Sequence, residues 1–194
     1  MNRLVCAMLT AVTMTFGSCA QNKTDTEMNK ENINAAVVYF SNTGTTEAVA
    51  KNIAEVTGAE LYRIEPEQPY TPADLDWQDD SSRTTKEMND RASRPAIKNG
   101  KINLDGIDTV YLGYPIWWDQ APRVINTFIE ANDLSGKKII TFCTSGETSI
   151  DGSVRQLRSD YPTLDIVKGK RLNGASARDV EKWISSIQHE IDNH

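Results

Sequence analysis

The sequence predicts an α/β fold: a single doubly wound, five-stranded parallel sheet with helices on both faces. Three observations predict it. From residue 34 onward, short apolar runs alternate with apolar residues at helical spacing. Such alternation builds parallel sheets through right-handed crossovers. The first run, Ala35-Ala36-Val37-Val38-Tyr39-Phe40, has no polar interruption, as a strand covered on both faces requires. Small and hydroxylated residues follow several of the runs, where strand-to-helix turns belong.

The elements follow in order. Residues 35–40 form the first strand. Residues 46–56 read as a helix, with Val49, Ile53 and Val56 on one face and Gly58 where a C-terminal cap belongs. A short second strand covers 61–64. Strands at 109–114 and 138–144 are each followed by a helical pattern, at 124–131 and 153–159. The last strand is weaker and falls either on Ile166 and Val167 or on 169–172. A closing helix, 177–191, carries Val180, Trp183, Ile184 and Ile187 on one stripe. Residues 65–95 break the alternation. They hold Pro66, Pro69, Pro72 and Pro95, an acidic stretch from Asp74 to Asp80, and a short helical candidate at 83–91. A segment of that length inside one domain is functional or partly structured.

The chain has 194 residues, 39% hydrophobic and 25% charged, the composition of a globular protein. Its net charge of −6 argues against a nucleic-acid partner, which needs clustered Lys and Arg. Residues 1–18 read as a signal peptide: Arg3, an apolar run too short to span a bilayer, then Gly17-Ser18. The small-small-Cys ending resembles the lipobox of bacterial lipoproteins, which makes Cys19 the lipidated residue. Residues 19–33 are then a polar tether, and 34–194 the folded domain. That places the protein in a bacterial cell envelope, held to a membrane through a lipid anchor only. Of three cysteines, only Cys143 belongs to the folded part, as a small buried residue. His189 and His194 lack metal-ligand spacing, and Asp74, Asp76, Asp79 and Asp80 read as a solvated acidic face.

Three loops carry the chemistry, each at a strand's carboxyl end, where open parallel sheets bind ligands. The first is Ser41-Asn42-Thr43-Gly44-Thr45-Thr46. Its hydroxyls and free N–H groups meet at a helix N-terminus, a ready site for a phosphate monoester. Plain capping of the helix by Thr45 explains the same residues, and both readings stand at this point. The loop has no Gly-Lys-Ser/Thr and no G-x-G-x-x-G, which disfavours a triphosphate hydrolase and a dinucleotide fingerprint. The second loop, Gly113-Tyr114-Pro115-Ile116-Trp117-Trp118-Asp119, sets two indoles at a strand terminus. One of them can pack in the core; an exposed one suits a planar aromatic ligand. The third, Thr144-Ser145-Gly146-Glu147-Thr148-Ser149, lets backbone groups approach a heterocycle's edge.

These three loops, with Val38-Tyr39-Phe40 ahead of the first and Phe142-Cys143 ahead of the third, resemble the flavodoxins, in particular a bacterial group with a Pro-Ile-Trp-Trp loop. Tyr70, Asp74-Leu75-Asp76-Trp77 and the run 92–97 are similar to that group's long segment after the second strand. The resemblance implies a sheet of order 2-1-3-4-5 and FMN bound non-covalently across the loops. By motif position Ser41, Asn42, Thr43, Gly44, Thr45 and Thr46 cradle the phosphate. Tyr114, Pro115, Ile116, Trp117 and Trp118 form the ring-side loop, with Trp117 against the flavin. Thr144, Ser145, Gly146 and Glu147 meet the pyrimidine edge. Two residues depart from the pattern: Glu147 stands where relatives carry glycine, and Asp119 where an uncharged residue is usual. Both set carboxylates beside the flavin, where they bear on affinity and potential. The third loop also lacks the aromatic that many short flavodoxins stack on the ring. The function implied is electron transfer with redox donor and acceptor proteins or small acceptors, the chemistry belonging to the flavin. Its rivals are an FMN-dependent reductase of quinones or other small acceptors, and a flavin-free binding module; fold alone does not separate them.

Overall fold

Apolar alternation along each strand decides the layering, because successive side chains leave a sheet on opposite faces. The structure, a computed structural model, describes residues 34–192. The expectations for the signal peptide, Cys19 and the tether fall outside the described residues. Five parallel strands form one sheet of order β2-β1-β3-β4-β5: β1 Ala35–Tyr39, β2 Glu60–Arg63, β3 Thr109–Pro115, β4 Lys138–Thr144 and β5 Asp165–Arg171. Between and after them run α1 Thr45–Thr57, α2 Arg83–Asn89, α3 Arg123–Ala131, α4 Asp151–Asp160 and α5 Ala177–Asp192. The expected fold class and strand order are the observed ones.

Ala36, Val38 and Phe40 point to one face with Val110, Leu112 and Ile139, and pack under Val124, Ile125 and Phe128 of α3 and Val154 and Leu157 of α4. Ala35, Val37 and Tyr39 point to the other with Tyr111, Ile140 and Phe142, under Val49 and Ile53 of α1 and Val180, Trp183 and Ile187 of α5. The unbroken apolar run of β1 is thus two half-strands of core, one for each layer. Cys143 is fully buried in the first, and burial pushes its thiol up to about 12.

Two expectations are corrected here. The alternative placements of the last strand are one strand: β5 takes in Ile166 and Val167 and then 169–171, stopping before Leu172, with an irregularity against β4 between Ile140 and Phe142. There the Thr141 hydroxyl donates to the Val167 carbonyl at 3.1 Å and accepts from the Gly169 N–H at 3.2 Å. A bulge with glycine in it reads as a break in an apolar pattern. Thr45 does not cap α1. Gly44 holds the N-cap position, and no side chain caps the helix.

Residues 65–98 form a strap rather than a free loop. Pro66 bridges Ile97, and Glu67 N–H and Lys98 N–H donate to the Ala96 and Glu65 carbonyls. Within it Ser82 accepts from Thr85 N–H to cap α2, and Tyr70 is buried against the first core.

Gly113 shows how tightly the sheet centre is packed. It pairs with Phe142 across β3 and β4, and a Cβ on it would stand 2.0 Å from Phe142 Cζ. Gly113→Ala is expected to destabilise the domain by about 1–3 kcal/mol, measured by urea unfolding. Adding Phe142→Leu should return part of the loss relative to Phe142→Leu alone, and strict additivity of the two changes would contradict a steric origin.

Candidate functional site

The first loop turns on one glycine. Gly44 has φ +88° and ψ −11°, a left-handed conformation that residues with a Cβ rarely adopt. Its N–H donates to Ser41 Oγ at 3.1 Å, closing the loop on itself. The first turn of α1 is left with N–H groups that have no intrahelical partner and with the positive end of the helix dipole. Asn42, Thr43, Gly44 and Thr45 are all exposed, with the Thr43 and Thr45 hydroxyls 3.2 Å apart. Ser41 and Thr46 are buried. Thr46 Oγ1 lies 2.7 Å from Thr144 Oγ1, so this hydroxyl joins the first loop to the third. Of the six residues expected to cradle an anion, four face outward and two brace the loop.

A cation that the loop itself lacks arrives from β2. Arg63 pairs with Tyr39 in register, so parallel pairing brings it to the same carboxyl edge. Arg63 Nη2 donates to the Ser41 carbonyl at 3.2 Å, and its Nη1 is 3.6 Å from Glu47 Oε2. Lys51 bonds the same carboxylate at 2.6 Å and holds it below the usual range. Sequence reasoning searched the loop for Lys and Arg and missed Arg63. The signal was its place at the end of the neighbouring strand.

The second loop is a hairpin. Trp117 and Gln120 exchange backbone bonds at 3.0 and 2.9 Å, and Trp118 and Asp119 between them take φ +48° and +58°. Tight hairpins favour this pair of left-handed residues, but outside glycine each costs about 1–2 kcal/mol. Gly152 of α4 makes room for the turn, since a Cβ there would stand 2.0 Å from Asp119 Oδ2. Trp117 is half-buried, its indole held edge-on by Phe40 at 5.5 Å and Tyr70 at 5.2 Å. Trp118 is the exposed indole, at 37%. Pro115 and Ile116 are half-buried. Tyr114 is fully buried, its hydroxyl 3.1 Å from Ser153 Oγ. Of the candidates in this loop, its side chain does not reach the surface, and only its backbone is available there.

The third loop is stitched by small side chains. Ser145 Oγ accepts from Thr148 N–H at 3.1 Å, and Ser145 N–H donates to Asn173 Oδ1 at 2.9 Å. Gly146 and Glu147 are exposed. Arg171, at the end of β5, donates to the Glu147 carbonyl at 2.8 Å, bringing a positive charge to the loop that carries the unusual carboxylate. Asn173 and Arg171 were missed for the same reason as Arg63. Ile116 N–H donates to the Thr144 carbonyl at 2.9 Å, tying the second loop to the third. All three loops therefore share one edge of the sheet, joined through Thr144.

A helix end with unpaired N–H groups, an aromatic hairpin and a small-residue loop stand at the carboxyl ends of three neighbouring strands, the edge where doubly wound proteins hold their ligands. Among the described residues no group of three or more His, Cys, Asp or Glu could hold a metal ion. No described helix is long and apolar enough to cross a membrane. The flavodoxin family model matches residues 34–187, and the chain belongs to the flavodoxin family. It is similar to the crystal structure of a candidate flavoprotein from Bacteroides eggerthii, with 47% identity and a TM-score of 0.77 over 79% of this chain and 97% of that one. A second candidate flavoprotein, from Bacteroides uniformis, gives 48% identity and a TM-score of 0.76 over 78% and 97%. A flavoprotein from Lactobacillus acidophilus, solved in complex with FMN, shares the fold at 20% identity, with a TM-score of 0.61 over 77% and 97%. Among curated proteins none matches the chain.

Proposed function

We propose that the protein binds FMN across the three loops and passes electrons between redox partners, tethered to a bacterial membrane through a lipid on Cys19. One observation carries the cofactor reading. The exposed hydroxyls of Thr43 and Thr45 and the unpaired N–H groups of the first turn of α1 stand at a helix N-terminus that Thr46 fastens to the third loop. Such a site suits a phosphate monoester at the end of a planar group, and the L. acidophilus relative was solved with FMN. Bound FMN would supply the redox chemistry. In this reading the chain's residues bind and orient. Asn42, Thr43, Gly44 and Thr45 hold the phosphate beside Arg63. Trp117, fixed by Phe40 and Tyr70, presents an indole to the ring. Thr144, Ser145 and Gly146 meet the pyrimidine edge, with Glu147 and Arg171 setting opposed charges beside it.

The reductase reading draws on a cleft of about 210 Å³ next to the first loop. Phe40, Asn42, Arg63, Pro69, Tyr70 and Lys98 are among its lining residues, enough to seat a small acceptor. Turnover of a quinone with reduced nicotinamide by purified protein would favour it over the carrier.

Thr43→Val and Thr45→Val should each cost about 1–3 kcal/mol of FMN affinity by removing a phosphate hydrogen bond, or roughly 5- to 100-fold in Kd. Riboflavin, which has no phosphate, should bind both variants as it binds the wild type. Thr46→Val strands the Thr144 hydroxyl and unties two loops, so it should weaken FMN and riboflavin alike. Flavin-fluorescence titrations read all three, and a loss of riboflavin binding in Thr43→Val would contradict a phosphate cradle. For the tether, Cys19→Ser should move the protein from the membrane fraction to the soluble one. Retention of the variant in washed membranes would overturn lipid anchoring at Cys19.

A further inference from the structure

Arg123 is the first residue of α3 and is 2% exposed. Among the described residues it forms no ion pair, and it stands at the positive end of its own helix. Both features disfavour a buried guanidinium, and a residue that merely filled this space would be apolar. Its hydrogen bonds give the reason for its presence. Arg123 Nε donates to the Glu87 carbonyl at 3.2 Å, and Nη2 donates to the Met88 carbonyl at 2.9 Å and to Gln120 Oε1 at 3.1 Å. Glu87 and Met88 lie in the last turn of α2, where carbonyls lack intrahelical partners. Gln120 closes the Trp117–Gln120 hairpin.

The other end of that hairpin leads back to the same turn of α2. Trp117 rests edge-on against Tyr70 at 5.2 Å. Tyr70 donates its hydroxyl to Glu87 Oε2 at 2.6 Å, and its ring lies 4.0 Å under the Arg83 guanidinium. One helical turn of the strap therefore holds the hairpin at Trp117 and at Gln120. Between those points sit the two left-handed residues, Trp118 and Asp119, a conformation that persists only where its surroundings enforce it.

We propose that Arg123 is a positioning residue: it clamps the 117–120 hairpin to α2 and so fixes the indoles that face the ligand. The ligand-facing part of this rests on the FMN reading above, whereas the clamp does not. Lysine cannot replace it, because one ammonium group does not reproduce the planar fork that spans α2 and Gln120.

Hydrogen exchange on the full chain without flavin, for wild type, Arg123→Lys, Arg123→Gln and Gln120→Ala, tests the clamp. All three variants should speed exchange of the Trp117 and Gln120 amides by about tenfold or more while the β3 and β4 amides keep their protection. FMN titration is the second readout, with Kd expected to rise at least about tenfold in each variant. The Gln120→Ala/Arg123→Gln double variant should lose no more than Arg123→Gln alone. Unchanged hairpin exchange, or exchange rising equally through the sheet, overturns the clamp. Faster hairpin exchange with unchanged FMN affinity overturns the ligand-positioning role. If Arg123→Gln does not fold, Gln120→Ala carries the same comparison. A wild type that binds no FMN defeats the FMN reading and with it the positioning role, and the exchange data still decide the clamp.

Discussion

Parallel pairing of β1 with β2 on one side and β3 on the other sets the terms for everything built on this sheet. The chain leaves β1 across one face and reaches β3 across the other, so the connections diverge and open a crevice at the carboxyl edge. Five strands with both faces covered leave no other edge so well supplied with helix N-termini and turns. The sheet's centre pays for this with close packing, visible where the Phe142 ring lies across Gly113.

The loops that fill the crevice do not hold themselves. Thr46 and Thr144 share a buried hydrogen bond, Ile116 reaches the Thr144 carbonyl, and the hairpin after β3 rests on a strap that is itself anchored at Pro66 and Ile97. Two left-handed, non-glycine residues mark where this support is spent. The same buried hydroxyls that look like ligand groups in sequence are the fasteners, and the outward ones are left for a ligand. In the proposed reading, a neutral cradle with one flanking guanidinium, from Arg63, makes a milder anion site than a lysine-bearing phosphate loop. It suits a monoester bound without hydrolysis.

Most of the fold was legible because β1, β3 and β4 are apolar on both faces, and the helices between them carry one clear stripe each. The last strand was less so. Its bulge at Gly169 interrupts the apolar pattern although the strand continues from Asp165 to Arg171. At the site, the loop residues were visible as clusters at strand ends. The orientation of each hydroxyl was not, because Ser41 and Thr43 are the same kind of residue and only tertiary packing turns one inward. Arg63, Arg171 and Asn173 escaped because they sit at or just beyond the ends of strands distant in sequence, brought to the site only through parallel pairing. The contacts of Tyr70 and Arg123 with α2 stayed hidden for a related reason: Glu87 lies 17 residues from Tyr70, and the Glu87 and Met88 carbonyls lie 36 and 35 residues from Arg123.

In the proposed reading the helix end beyond Gly44 holds the phosphate of FMN. Phosphorus NMR of FMN with the protein at equimolar ratio tests it directly. A phosphate free in water titrates near pH 6, whereas one held by N–H groups and a helix dipole stays dianionic through that range. A shifted bound resonance that does not move between about pH 5.5 and 8 is the expected result. A resonance that titrates as free FMN does, while the flavin ring is bound, would contradict it.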